Sequence, residues 1–337
     1  MTASQDPRTG PMVVDVQHHF VPFELVERRG FGAGERRNLI EGGVPKLTLH
    51  NRLYDLDLQL RDMDAAGIDV AVLSCNLGWD APLDDCRLIN DRAAELQRRH
   101  PERFLGLAHA PILEPAGLAE IERAVQDLGL RGATITSQVN GLPLDADALV
   151  PFYRLASARG LPVFVHPAQL PAGYPFCGDY DLARILGREL DLQLAVTRVI
   201  AGRVLEEFPE LVLVFAHFGG GIAAVKERLV AKAGRFGTLR RPFAESFDRL
   251  YFDTAGFEGG PGAFRCALET IRPDRLVFAT DYPQDFTGAT TQTGKGVAGI
   301  RDYAALIRDA GLPPETAEGI LGGTAARLLR RVRGVAR

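Results

Sequence analysis

The stretch VDVQHH at 14–19 ends an apolar run in a glutamine and two adjacent histidines, and Pro22 follows shortly after. Imidazoles and carboxylates bind borderline divalent ions, so the question is which other residues of those types reach the same place. His109, His166 and His217 each follow an apolar run, and Asp281 follows another. Two imidazoles and a carboxylate, from His19, His166 and Asp281, make a ligand set that leaves a position for water or substrate. Asp281 also suits a general base. His217 stands just before Gly219-Gly220-Gly221. An accessible ring there suits a proton shuttle or a donor that polarises a metal-bound water. His109 is a candidate to line the pocket. Arg52, Arg240 and Arg241, from a wider set of loop arginines that includes Arg36, Arg37 and Arg235, are candidates to hold a substrate carboxylate bidentately. Cys75 has no base paired with it and reads as pocket wall.

Such residues act together only if their strands end at one place. From Asp55 onward the chain alternates regularly. Helical patterns at 56–66, 84–100, 116–128, 146–159, 183–207, 222–232 and 262–271 interleave with strand patterns at 68–74, 104–110, 132–136, 161–165, 211–216, 249–254 and 276–280. With the first strand this makes eight units, and helices at 297–310, 314–320 and 324–333 finish the chain. Most strands are continuous apolar runs, as in a parallel sheet buried on both faces. Eight such units predict a single (β/α)8 TIM barrel domain over 1–337, rather than an open doubly wound sheet. The triple glycine matches neither dinucleotide nor Walker spacing.

In such a barrel, chemistry sits at the C-terminal strand ends. Five of the seven histidines fall there, counting His18, which scattered structural histidines would not do. Strand alternation puts Asp15, Gln17 and His19 on one side and His18 on the other. Residues 23–54, rich in Arg and Gly, read as an insertion over the barrel mouth with a short hairpin at 46–49. Asp147 and Gly160 read as the caps of the helix at 146–159.

A formal charge of −4 on 337 residues gives no support to binding nucleic acid or an anionic membrane. No stretch approaches the roughly 20 apolar residues of a membrane span, and the polar start MTASQDPRTG has no signal-peptide core. Four dispersed cysteines without a CxxC pair read as reduced thiols of a cytoplasmic enzyme.

A series of motifs runs in order through nearly the whole chain: RDMDAAGIDVAVLS at 61–74, IND at 89–91, PERFLGLA at 101–108, LGLRGATI at 128–135, NGLPLD at 140–145, LPVFVHP at 161–167, FPELVLVFAHFGGG at 208–221, LYFDT at 250–254, RLVFATDYP at 275–283 and ILGGTAARLL at 320–329. The series resembles the amidohydrolase superfamily, in the branch of aminocarboxymuconate-semialdehyde decarboxylase and the hydroxybenzoate decarboxylases. The resemblance implies metal ligation by Gln17, His19, His166 and Asp281, with His217 at the catalytic histidine. It also implies one divalent ion, zinc foremost and manganese as the other choice, because the fourth strand carries no bridging lysine. The family usually has His-x-His on the first strand, or Glu-x-His in some decarboxylases. Gln17 departs from both. It offers an amide oxygen without charge, and three readings stay open: three strong ligands plus Gln17, replacement by His18 through a bulge, or a site that binds metal poorly. The implied activity is non-oxidative decarboxylation of an aromatic or unsaturated carboxylic acid, with metal-dependent hydrolysis of an amide, lactone or related bond as the alternative. Family members are often dimers, so a homodimer is expected.

Overall fold

Alternating apolar runs and amphipathic stretches close the chain into a ring. In a computed structural model, which describes residues 12–284, 286–287 and 295–334, eight parallel strands form the wall of a (β/α)8 barrel. They are β1 Val14–His19, β2 Val70–Ser74, β3 Phe104–Gly106, β4 Ala133–Thr136, β5 Pro162–His166, β6 Val212–Phe215, β7 Tyr251–Asp253 and β8 Leu276–Val277. Regular ladders join β1 to β3 and β4 to β8. Two narrow seams complete the ring. At one, Ala108 bridges to Ala133, with Ala108 N–H donating to Gly132 O at 2.8 Å. At the other, His18 bridges to Tyr282, Val16 N–H donates to Phe278 O at 3.1 Å and His19 N–H to Tyr282 O at 2.8 Å. Chain beyond β3 and β8 is therefore spent on closure, which is why these strands are shorter than the apolar runs at 104–110 and 276–280.

The interior is filled by Val14, Val16, Val70, Val72, Leu107, Phe164, Val212, Val214 and Val277, and Ala325, Leu328 and Leu329 plug its base. A second, larger apolar layer lies between the strands and the helices. Both faces of each strand are thus buried, as the unbroken apolar runs require. Helix Leu56–Ala66 has the predicted bounds, with Leu58 N–H donating to the Asp55 carboxylate at 2.9 Å as its N-cap.

Strand β1 departs from simple alternation. Val14 pairs with Val70 and Asp15 with Ala71, yet His18 pairs with Leu73 and His19 with Ser74, so β1 carries one residue more than its partner. This bulge lets Val14 and Val16 fill the barrel while Gln17 and His19 reach its mouth. It also corrects the expected facing. Asp15 lies with His18 instead of with Gln17 and His19, its Oδ2 3.1 Å from His18 Nδ1.

Other boundaries shift for local reasons. The insertion holds a helical turn, Phe23–Glu27, and a hairpin of Arg37–Glu41 with Val44–Leu49, longer than the 46–49 segment expected. Gly42-Gly43, both at positive φ, supplies its tight turn. The stretch at 183–207 breaks into a π-helical turn Ala183–Gly187 and helices Arg188–Ala201 and Val204–Glu207, because the chain turns at Gly202 and at Arg203, whose φ is 64°. Asp147 sits inside a 3-10 turn and caps nothing with its side chain, whereas Gly160 ends its helix at a φ of 59°. The last helix stops at Leu329. Among the described residues no helix is long and apolar enough to cross a membrane.

Fully buried Asp15 ties β1 to the segment that follows β8. Its Oδ1 accepts from Thr280 N–H at 3.0 Å and Gln17 N–H at 3.2 Å, and its Oδ2 accepts from the Thr280 hydroxyl at 2.6 Å. Removing it strands several buried donors at once. Asp15→Ala is expected to lower unfolding free energy by about 2–4 kcal/mol in urea titrations, from orphaned donors rather than lost volume. A loss below about 0.5 kcal/mol would show that the seam holds without it.

Candidate metal and active site

Side chains from β1, from β5 and from the segment after β8 converge at the barrel mouth. One ligand atom each from His19, His166 and Asp281 lies within 4.8 Å of the others. His19 Nε2 is 2.8 Å from Asp281 Oδ1, and the two histidine rings meet nearly edge-on with centroids 5.1 Å apart. His166 Nδ1 donates to Pro167 O at 2.8 Å, which leaves its Nε2 lone pair free for a ligand. Burial, with the nearby charges of His19 and His217, pushes His166 well below the usual imidazole range and keeps it neutral. His19 Nδ1 meets the Ser74 hydroxyl at 2.9 Å, which orients the ring as a supporting hydrogen bond does in metal sites. Burial opposes charge on Asp281. The hydrogen bond from His19 and the charges of His19, His217 and Arg188 outweigh it, so the carboxyl sits below its ordinary range.

Gln17 closes the cluster. Its Nε2 donates to Asp281 Oδ1 at 3.0 Å and lies 3.3 Å from His217 Nε2. Its Oε1 is buried with no hydrogen-bond partner. A buried amide oxygen in that state is costly, and a cation among these four side chains would satisfy it. Two nitrogens and two oxygens suit a single divalent ion of zinc or manganese type.

His217 faces the cluster from the end of β6. Its Nδ1 is 2.8 Å from Glu189 Oε1, and its backbone N–H donates to buried Asp253 at 2.8 Å. Burial works against protonation of the ring. The adjacent Glu189 carboxylate, and more distantly Asp281 and Asp253, overcome this and raise it to about 10. The chain leaves His217 in a left-handed turn, with φ between 52° and 72° from His217 through Gly221. Glycine is needed here for space as well as for φ, because a Cβ on Gly220 would lie 2.0 Å from Glu189 O. That close approach lets helix Arg188–Ala201 present Glu189 to the ring. Burial likewise pushes Asp253 up to about 7 against the opposing charge of His217.

A cavity of about 290 Å³ opens over these groups. His166, His217, Asp281, Glu189 and Arg188 line it, and Lys46, Leu47 and Thr48 of the insertion form part of its wall. Trp79, the one tryptophan in the chain, stacks on His166 at 4.0 Å and lies perpendicular to His19 with centroids 5.9 Å apart.

Residues 14–331 match the family model described as Amidohydrolase. The chain belongs to the amidohydrolase family. It is similar to 2-amino-3-carboxymuconate-6-semialdehyde decarboxylase of Dictyostelium discoideum, at 25% identity over 94% of this chain and 91% of that protein. It is also similar to gamma-resorcylate decarboxylase of Rhizobium sp., at 27% identity over 80% and 87%. Among solved structures, 5-carboxyvanillate decarboxylase from Sphingomonas paucimobilis superposes with a TM-score of 0.79 at 25% identity, covering 95% of this chain and 99% of that one. At 23% identity and a TM-score of 0.77, a dihydroxybenzoic acid decarboxylase from Polaromonas, solved with bound manganese, shares the fold over 95% and 97%.

This amidohydrolase brings Gln17, His19, His166, His217 and Asp281 to one place. The other sequence candidates lie outside the cavity. His109 is buried with both nitrogens engaged: Nδ1 with Leu107 O at 3.2 Å, and Nε2 accepting from Cys75 N–H at 3.0 Å. It props the floor and offers nothing to a substrate. Arg52 pairs with Asp62 at 2.8 Å. Arg240 and Arg241 are exposed, their backbone N–H groups on Glu206 beside the chain that enters β6, at the far end of the barrel. Cys75 is buried, and burial pushes its thiol up to about 12, as suits wall rather than nucleophile. Sequence reading missed Glu189, Trp79 and Arg188. None belongs to a strand, and only the fold brings them to the mouth.

Because Trp79 is alone in the chain and touches His166, its emission reports on the metal site. Paramagnetic manganese titrated into chelator-stripped protein is expected to quench it saturably at about one equivalent. The response should vanish in His19→Ala and His166→Ala. Saturable quenching that survives both substitutions would place the ion elsewhere.

Proposed function

We propose that this amidohydrolase is a metal-dependent, non-oxidative decarboxylase of an aromatic or unsaturated carboxylic acid. The observation that carries this reading is one cavity faced both by a ligand cluster of His19, neutral His166 and a carboxylate and by a protonated histidine held on Glu189. The named decarboxylase relatives support it. His19, His166, Asp281 and the amide oxygen of Gln17 would hold one divalent ion, zinc or manganese. When bound, the ion supplies Lewis acidity toward the carboxylate and a neighbouring substrate oxygen.

The remaining chemistry belongs to the chain's own groups. His217, charged beside Glu189, delivers a proton from Nε2 to the carbon that bears the carboxylate. The carbon–carbon bond to that carboxylate breaks, CO2 leaves, and the electron pair left on carbon forms the new C–H bond. Glu189 keeps Nδ1 protonated and so leaves Nε2 as the atom that gives and regains the proton. Asp281, held ionised, keeps its place as a ligand. The insertion walls the cavity and keeps bulk water from the reacting carbon.

The test is CO2 release from a panel of hydroxybenzoates and unsaturated acids in deuterated water. Deuterium is expected at the vacated carbon, with no oxygen consumed. His217→Ala should lower kcat/KM by about 10²–10⁴, the usual scale for losing a positioned acid, and Asp281→Asn should lower it by about 10-fold or more, because a neutral amide replaces an ionised ligand. Full activity in either variant would remove that residue from the reaction. Incorporation of solvent oxygen into a carbonyl product would replace decarboxylation by hydrolysis.

We also propose that the barrel works as a cytoplasmic homodimer with its four cysteines as free thiols. Supporting the dimer, Phe176 and Tyr180 are 91% and 88% exposed, and Ile185, Leu186, Leu190 and Leu194 extend the same apolar surface along the adjoining helix. Contiguous exposure on that scale marks an association surface. Light scattering should give twice the chain mass, falling to the monomer in Leu190→Glu/Leu194→Glu; a monomeric wild type would exclude the dimer.

A further inference from the structure

Arg188 opens helix Arg188–Ala201 and is half-buried in the cavity wall. Its Nε and Nη2 donate to Gln169 O at 3.0 and 2.9 Å, and Nη2 also donates to Lys46 O at 2.8 Å. A guanidinium has five N–H groups, so two neutral carbonyls take three of them and both N–H groups on Nη1 remain. Among the described residues no carboxylate lies within ion-pair distance of it.

Its neighbours differ. Arg184, one turn earlier, is held by both oxygens of Asp181, with Nε 2.7 Å from Oδ1. Lys46 pairs with Glu41 at 2.7 Å and Asp80 at 3.5 Å. Of the lysine and two arginines that line the cavity, Arg188 alone has no direct counter-charge among the described residues. Burial pushes its pKa down to about 10, with Arg184 opposing its charge and Asp281, Glu189 and Asp181 favouring it from further away. It therefore stays charged at neutral pH.

The guanidinium is also immobilised. Carbonyls from two separate elements, the loop after β5 and the insertion hairpin, fix its plane and leave the Nη1 edge unspent in a side chain that lines the cavity. A donor pair held rigidly in a partly desolvated wall loses little entropy when an anion docks. The hairpin that orients Arg188 walls the outer part of the cavity, whereas the ligand cluster lies at the strand ends on its floor. A group seated on Nη1 would use donors that are separate from the ligand cluster within the same cavity.

We propose that Arg188 seats a second carboxylate of the substrate, the one that is retained, so that the acid this site takes is a dicarboxylate. The inference rests on the decarboxylase reading for which carboxylate departs. The seat itself is read by binding alone.

Isothermal titration of the metal-loaded protein with benzoate, isophthalate, terephthalate and the two carbamoylbenzoates tests it. At least one diacid should bind about 10-fold or more tighter than benzoate and than its own monoamide, a difference of about 1.4 kcal/mol. Arg188→Gln should erase that advantage while changing benzoate affinity less than about 3-fold, as expected when a single charge-assisted contact is lost. Arg188→Lys should retain part of it, and Arg240→Gln, outside the cavity, all of it. Diacids no tighter than benzoate in the wild type would overturn the proposal, even if Arg188→Gln did not fold. Equal weakening of benzoate and diacid in Arg188→Gln would also overturn it, because Arg188 would then serve the floor carboxylate or the fold. An intact diacid preference with no CO2 released from the hydroxybenzoate and unsaturated-acid panel would support the seat and remove the decarboxylase reading.

Discussion

The buried carboxylate of Asp15 is the contact on which the site depends. A barrel must join its first strand to its last, and here that seam has only a few backbone hydrogen bonds. Asp15 reinforces it from the side, gathering the backbone N–H groups of Gln17 and Thr280 and the Thr280 hydroxyl. Thr280 precedes Asp281, and Gln17 precedes His18-His19, so one carboxylate sets the distance between two halves of the ligand cluster. His18 stacks on Tyr282 at 4.2 Å, and the Tyr282 hydroxyl donates to Asp62 at 2.7 Å, which locks the far side of the same segment. The adjacent histidine therefore packs into the seam, away from the His19, His166 and Asp281 cluster, which is what the bulge in β1 makes possible.

Electrostatics then divide the labour among chemically similar groups. His166 and His217 have the same side chain and rings 6.3 Å apart, yet burial keeps the first neutral while Glu189 keeps the second charged. A neutral imidazole is a ligand and a charged one is a proton source. Environments that push paired titratable groups apart assign their roles. The left-handed turn through Gly221 belongs to this division, since only a glycine at 220 admits the helix carrying Glu189 close enough to reach the ring. Arg188, next to Glu189, lines the same cavity, so one helix start supplies both the carboxylate that meets His217 and a guanidinium of the wall.

Much of this was legible in the chain. Apolar runs ending in His19, His166, His217 and Asp281 locate the side chains that meet at the barrel mouth, because strand ends of a parallel barrel meet at one face whatever the helices do. The alternation of 3.6-residue and continuous apolar patterns determines the barrel for the same reason: each pattern can be buried in only one kind of layer. What alternation cannot reveal is an inserted residue. A bulge leaves no mark in composition, so the facing of Asp15 was misjudged while those of Gln17 and His19 were not. His109 and the arginines expose the same limit. Whether a polar side chain at a strand end or in a loop looks into the mouth or is consumed by neighbouring groups depends on partners distant in sequence, such as Cys75 for His109 and Asp62 for Arg52.

The sequence by itself determined the fold, the residue types of the cluster at the barrel mouth and the glutamine at position 17, since these follow from local periodicity and residue chemistry. Only the tertiary structure decided which histidine is neutral and which charged, that Glu189 and Trp79 attend them, and that Arg188 lines the cavity with no ion-pair partner among the described residues. Those properties arise from burial and from contacts between elements tens of residues apart. A short-range pattern carries neither.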